Sequence, residues 1–370
     1  MRIGIDARLW NETGVGRYIK NLVEYLAQID KQNEYVLFIR NKENFQFPIS
    51  NFQSNRWKIV AADMQWHSID EQVRFPAILE KEKLDLMHFP YFSVPIFYKG
   101  KFVVTIHDLI PLHVNTGLAT TLPAPIYKAK RIGYKVILKQ ATKKASKIIA
   151  VSQATKDEVV KYLHVDSEKV VVTYEGLDKK LSNTKKQTAT MKNSYFLYVG
   201  NAYPHKNLER LIEAFNLVVK KEPSTKLLLT GKEDYFYKRL HKKVKELHLS
   251  ESIIFYGQVT DSELANLYSN AQGLVVPSLM EGFGLPALEA MANRCLVVAS
   301  DIPSLREICK EAAVYFNPYD TDDIAEKLLK VRMDEGDLEI KRKEGMVRAK
   351  EFSWEKMAKE TLRIYEEVIR

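Results

Sequence analysis

Short runs of branched and aromatic residues recur along this chain, each pair separated by room for a helix, and this rhythm restricts the fold more than any other feature. In the first half the runs are 1–5, 35–40, 57–61, 84–88, 102–107, 147–151 and 170–174; in the second they are 195–199, 226–230, 253–256, 273–276, 296–299 and 313–316. They are too short and too continuously apolar for half-exposed antiparallel strands, so they read as buried parallel strands joined by crossover helices. The predicted class is α/β, with two doubly wound domains. Between the two series the stretch 179–193, KKLSNTKKQTATMKN, is polar and without period, the composition of a linker. The predicted division is 1–182 and 183–352, with an amphipathic helix over 353–370 that opens on a capping serine, Ser353.

A length of 370 residues exceeds what one hydrophobic core usually supports, which also favours two domains with a ligand cleft between them. With 46% apolar and 28% charged residues, the composition excludes disordered and collagen-like chains. No stretch approaches the roughly 18 uninterrupted apolar residues of a membrane-spanning helix. Asp6 and Arg8 interrupt the opening MRIGIDARLW before a signal-peptide core forms, and Cys295 and Cys309 are too few for a disulfide framework. A cytoplasmic location is expected. The net charge of +9 is uneven: residues 1–182 carry 27 Lys and Arg against 19 Asp and Glu, and residues 183–370 carry 29 against 28. The basic half is expected to meet an anion, whether nucleic acid, phospholipid or a phosphorylated substrate.

The most specific text runs from Pro277 to Glu289, PSLMEGFGLPALE, between a strand and a helical run. Two glutamates eight apart, Glu281 and Glu289, flank a glycine turn that opens a helix, where backbone N–H groups can receive an anion or sugar hydroxyls. From chemistry alone, a glycine turn followed by helix-forming glutamates on a solvated face is an equal reading. Upstream, Gly200 to Asn207 (GNAYPHKN) joins a strand end to a helix, and Lys206 adds a point charge where the helix dipole is positive. The loop 13–18, TGVGRY, follows the first strand and precedes a helix predicted over 19–28. His107 and Asp108 end a strand of the first half, as Glu175 and Gly176 end another. Asp320, Asp322 and Asp323 imitate an acidic metal motif, but they precede a helical run and read as its cap. The histidines show no paired metal spacing, so no metal is expected. Residues 127–147 carry eight basic and no acidic residues beside an apolar strip that includes Ile132 and Val136, the pattern of a solvated helix or of one lying on an anionic membrane. The apolar, proline-bearing loop 112–125 before it is expected to face an acceptor or lipid.

These landmarks, in this order and over nearly the whole chain, resemble the retaining GT-B glycosyltransferases of family 4, the glycosyl transferases group 1. The resemblance implies two Rossmann-like domains, with the C-terminal helix returning to the first. It implies that Glu281 contacts the donor sugar, that the backbone of Phe283, Gly284 and Leu285 holds sugar hydroxyls and phosphate, and that Glu289 binds the ribose. It makes Lys206 the diphosphate ligand, assisted by Gly200 and His205, sets His107 near the transferred sugar, brings Gly16 and Arg17 toward donor phosphate and acceptor, and places the base near Val259. Glu175 and Gly176 match an interdomain turn of mainly structural role. Asn201 and His205 stand where many members have an arginine, so Arg17 or Arg210 is expected to share in neutralising phosphate. The implied reaction is metal-independent transfer from a nucleotide sugar, GDP-mannose first, to a glycan or lipid-linked acceptor of surface polysaccharide, at the inner face of the plasma membrane and without a cofactor.

Three rivals share parts of this pattern. A nucleotide-sugar epimerase of the same architecture needs acid and base carboxylates placed for proton abstraction, and the full 281–289 segment favours transfer instead. A nucleic-acid-binding protein would explain the basic half, yet no helix-turn-helix, finger or RNA-stacking signature accompanies the charge. A non-catalytic protein of this fold would bind the nucleotide without turnover.

Overall fold

The computed structural model describes residues 1–12, 14–41, 45, 55–66, 68–113, 124–178, 181, 195–333 and 336–370. Of the expected segments, the linker 179–193 lies outside the described residues apart from Leu181, as does most of the loop 112–125. The chain forms two compact units.

The first unit comprises Met1–His113 and Thr121–Gly176 together with Ser353–Arg370. Its strands are β1 (Arg2–Asp6), β2 (Glu34–Ile39), β3 (Trp57–Ala61), β4 (Leu86–Phe89), β5 (Phe102–Ile106), β6 (Lys147–Ala150) and β7 (Val170–Val172). They form one parallel sheet in the order β3-β2-β1-β4-β5-β6-β7. β4 and β5 are buried at every position, as expected of strands covered on both faces. The helix predicted over 19–28 begins earlier, and Gly14–Ile29 is helical throughout. The glycine-containing segment is therefore the first turn of that helix and not a loop before it. A Cβ at Gly16 would stand 2.6 Å from the Trp10 carbonyl oxygen, so glycine is required there by close approach of the backbone.

The last helix, Trp354–Ile369, packs along Gly14–Ile29 in this same unit, burying Trp354, Met357, Ile364 and Tyr365. Ser353 accepts a hydrogen bond from the Lys356 amide at 3.4 Å, the expected cap. Burial of Met357 and Ile364 contributes about 2 kcal/mol each. The Tyr365 hydroxyl reaches the core at 2.5 Å from His88 Nδ1, while His88 Nε2 lies 2.8 Å from Thr105 Oγ1.

The second unit contains Leu177–Phe352. Its strands are β8 (Tyr195–Val199), β9 (Lys226–Thr230), β10 (Ile253–Gly257), β11 (Gly273–Val276), β12 (Val297–Ser300) and β13 (Ala313–Phe316), parallel in the order β10-β9-β8-β11-β12-β13. The apolar faces of helices Leu208–Lys221 and Thr321–Met333 cover this sheet: Leu211, Phe215, Ile324 and Leu328 share one core with Phe196, Leu227 and Val298. Asp320 caps the latter helix, accepting from the Asp322 and Asp323 amides at 3.0 and 3.2 Å. The acidic triplet is a cap, as the sequence indicates. Both sheets follow the doubly wound order, in which the chain leaves two adjacent central strands in opposite directions.

Candidate functional site

In the second sheet those central strands are β8 and β11. The chain runs from β8 toward β9 and from β11 toward β12, so these two strands mark the switch point, beyond whose carboxyl ends doubly wound sheets bind their ligands. Gly200 to Asn207 is the first of these loops and Pro277 to Gly284 the second. Three contacts tie them together: the Leu279 amide donates to the His205 carbonyl at 2.7 Å, Asn207 Nδ2 donates to the Pro277 carbonyl at 3.1 Å, and Lys206 Nζ meets Glu281 Oε1 at 2.7 Å.

The loop after β8 is shaped by glycine and tyrosine. Gly200 has φ +144°, and its carbonyl accepts from Tyr237 Oη at 2.8 Å. Lys206 closes a short 3-10 turn, Pro204–Lys206, and Asn207, in the left-handed region at φ 59°, opens helix Leu208–Lys221. Arg210 turns its guanidinium to Asn207 Oδ1 at 2.9 Å and the Pro318 carbonyl at 3.0 Å. The arginine expected to share in phosphate binding thus fastens the loop. The imidazole of His205 is pushed down to about 4 by burial and by the neighbouring Lys206, so it is neutral near pH 7.

In the loop after β11, Glu281 is 12% exposed at its side chain. Burial raises its carboxyl group, but Lys206 and hydrogen bonds from Lys206 and Ser278 outweigh this and hold it below the ordinary range. The buried Ser278 hydroxyl donates to the same oxygen, Oε1, at 2.6 Å. Gly284, at φ 98°, turns the chain into helix Leu285–Ala292, and Phe283 is buried edge-on to Phe352. Glu289 lies inside that helix, as expected, and is buried with Tyr268 Oη 3.0 Å from its Oε2. Val259 follows β10, just before Thr260 caps helix Asp261–Asn270.

In the first unit Gly16 and Arg17 lie in the first turn of the helix that follows β1. His107 follows β5, and both its ring nitrogens meet protein oxygens. Nε2 donates to the Pro90 carbonyl at 3.0 Å, which fixes a proton there because a carbonyl only accepts; Nδ1 lies 3.2 Å from Glu175 Oε1. Glu175 is buried and stands directly at the imidazole, which the sequence did not reveal. Arg8 is likewise beyond the sequence reading: it bridges Asp6 and the fully buried Glu71, each at 2.7 Å, at the carboxyl end of β1. The roles missed are those of Ser278 at Glu281, Tyr268 at Glu289, Glu175 at His107 and Arg8 between Asp6 and Glu71.

Two loops, one carrying Lys206 and the other Glu281, thus meet at the switch point of the second sheet. The chain belongs to the glycosyltransferases of the GT-B fold: "Glycosyltransferase Family 4" matches residues 13–181 and "Glycosyl transferases group 1" matches residues 179–349. Among its relatives is the O-antigen chain mannosyltransferase RfbU of Salmonella typhimurium, 36% identical over 228 residues, 60% of this chain and 63% of that protein. The chain therefore matches less than two thirds of that relative's length. A second, O-antigen chain mannosyltransferase B of Escherichia coli, is 28% identical over 95% of this chain and 96% of its own. The fold also matches sucrose-phosphate synthase of Thermosynechococcus elongatus, with a TM-score of 0.81 at 21% identity, over 100% of this chain and 99% of that one.

Proposed function

We propose that the chain is a retaining, metal-independent hexosyltransferase that moves mannose from GDP-mannose to a hydroxyl of a glycan or lipid-linked acceptor in surface polysaccharide synthesis. The observation that carries this reading is the Lys206–Glu281 pair, 2.7 Å apart, across the two loops of the switch point. A nucleoside diphosphate sugar presents a strong anion beside a ring of hydroxyls, and these two side chains match the two halves. Lys206 meets the diphosphate and stabilises the charge that grows on it as the bond to the anomeric carbon breaks. Glu281 receives a sugar hydroxyl, Glu289 the ribose, and the acceptor hydroxyl attacks on the face the diphosphate leaves, passing its proton to the departing phosphate oxygen. With His205 neutral and Arg210 engaged, Lys206 carries the charge stabilisation assigned here to the second unit. The names of the two mannosyltransferase relatives favour mannose and an O-antigen-like acceptor.

Thermal unfolding with a panel of nucleotide sugars tests the donor, because a ligand of the folded state alone raises the melting point. GDP-mannose is expected to give the largest shift. Transfer assays then test the site: Glu281→Ala should abolish transfer and keep the fold, and normal activity in that variant would overturn the assignment.

A further inference from the structure

The two oxygens of Glu281 are used unequally. Lys206 Nζ and Ser278 Oγ both donate to Oε1, at 2.7 and 2.6 Å, and among the described residues Oε2 has no hydrogen-bond partner. The two donors also differ in kind. Lys206 stands at the end of a four-carbon stem and is the group an arriving diphosphate would attract. Ser278 is fully buried, carries a single rotatable hydroxyl, and sits between two anchored neighbours: the Pro277 carbonyl is held by Asn207 Nδ2 and the Leu279 amide by the His205 carbonyl. Its hydroxyl therefore rides on a fixed backbone at the end of β11, out of competition with water.

We propose that Ser278 is a positioning residue for the transfer reaction: it pins Glu281 through Oε1 so that Oε2 stays aimed at a hydroxyl of the donor sugar when Lys206 turns to the diphosphate. This rests on the donor-site reading given above. In the structure the carboxylate is held by two donors on one oxygen. Once the lysine is shared with phosphate oxygens, the serine becomes the fixed restraint, and a mostly buried carboxylate without it would be free to rotate after its cation. Because nucleoside diphosphate alone lacks the transferred hexose that Oε2 would meet, its affinity does not depend on this restraint. Turnover does, since orientation of the sugar is part of what the transition state requires.

The experiment compares Ser278→Ala, Ser278→Cys and Glu281→Gln in steady-state transfer from GDP-mannose and its monodeoxy analogues, with GDP affinity and melting point measured for each. Ser278→Ala should lower kcat by about tenfold or more while GDP affinity stays within about twofold. Ser278→Cys, which keeps a weak donor of similar shape, should fall between, and it takes the place of the alanine variant if that one does not fold. The penalty should vanish with the deoxy analogue whose missing hydroxyl also makes Glu281→Gln harmless, an outcome that a merely structural serine would not produce. Wild-type kcat in Ser278→Ala beside an inactive Glu281→Gln would overturn the positioning role and leave the donor-site reading intact. Equal losses of kcat and GDP affinity would assign Ser278 to folding alone and also overturn it. Full activity in Glu281→Gln would instead remove the donor-site reading itself.

Discussion

Gly176 lies against the backbone of Trp354 so closely that a Cβ on it would stand 2.0 Å from the tryptophan's amide nitrogen and 2.5 Å from the Ser353 carbonyl carbon. These are also the places where the chain leaves the first unit and comes back to it. The atoms in the way are backbone, so no side chain can swing aside to admit a methyl group. Gly176→Ala should therefore cost at or above the about 1–3 kcal/mol usual for overpacking. A lowered melting point in the otherwise unchanged chain is the expected result, and an unaltered one would mean that the start of the last helix yields freely.

His88 sets a pH dependence of stability. It is fully buried between Tyr365 and Thr105, and its imidazole is pushed down to about 3 by burial, with the nearby His107 adding to the effect. In the unfolded chain a histidine takes its proton near pH 6.5, at roughly the model-peptide value. Between those two values the unfolded state binds one proton more, so stability falls as the pH falls, by up to about 1.4 kcal/mol per pH unit. His205, lowered to about 4, acts in the same direction. Urea unfolding from pH 7 to pH 5 should show this loss, and His88→Gln should reduce its slope by up to one proton without removing the share of His205. An identical slope in the variant would show that His88 does not carry it.

The strands were legible because parallel strands buried on both faces leave unbroken apolar runs. The limits 57–61, 195–199, 226–230, 273–276 and 313–316 match the structure to the residue. The start of the first helix was not legible, since two glycines argue against a helix locally. The reason for Gly16 is the Trp10 carbonyl pressed against it, a contact made by the turn before the helix and not by the helix itself. Within the candidate site, Lys206, Glu281 and Glu289 stand out because charge beside glycine turns and helix starts has a local meaning. Tyr268 does not, and Glu175 stands out only as part of a turn, because each gains its role from a residue on another element, 21 and 68 positions away. Ser278 is only three residues from Glu281, yet a serine before a turn ordinarily bonds backbone, so nothing marked it as a partner of the carboxylate.

The Tyr268 hydroxyl at 3.0 Å from Glu289 Oε2 gives a second handle on the donor. If Glu289 receives the ribose, Glu289→Gln should weaken the preference for a ribonucleotide over its 2′- and 3′-deoxy forms, because a lost hydrogen bond to a charged group costs about 1.5–3 kcal/mol. Tyr268→Phe, which leaves the carboxylate in place but removes this hydrogen bond to it, should raise KM for the donor by a few fold and spare kcat. Calorimetric titration with GDP and 2′- and 3′-deoxy-GDP separates the cases. Equal affinity ratios in wild type and Glu289→Gln would place the ribose elsewhere.

Among the described residues no helix is long and apolar enough to cross a membrane. The basic segment 127–147 nevertheless contains most of a continuous helix, Ala124–Lys144, with two unlike faces. Leu138, Ala141 and Thr142 are buried, and Tyr134 sets its ring edge-on to Phe92 at 4.6 Å. Ile126, Ile132 and Val136 are exposed, Ile132 at 65%, beside the exposed Lys128, Lys130, Lys135 and Lys139. Large apolar side chains among lysines match an anionic bilayer, where each lysine near the surface contributes about 1 kcal/mol and the apolar groups enter the headgroup boundary. The protein should sediment with phosphatidylglycerol vesicles at low ionic strength and not with phosphatidylcholine vesicles. Salt at about 1 M, where the screening length is near 3 Å, should release it. Ile132→Glu together with Val136→Glu should weaken sedimentation more than Lys135→Gln alone, since it removes the inserting groups and adds repulsion. These positions point away from the core, so transfer to a soluble acceptor should be unchanged in the same variant. Failure to sediment with acidic vesicles at low salt would reduce this helix to a solvated face.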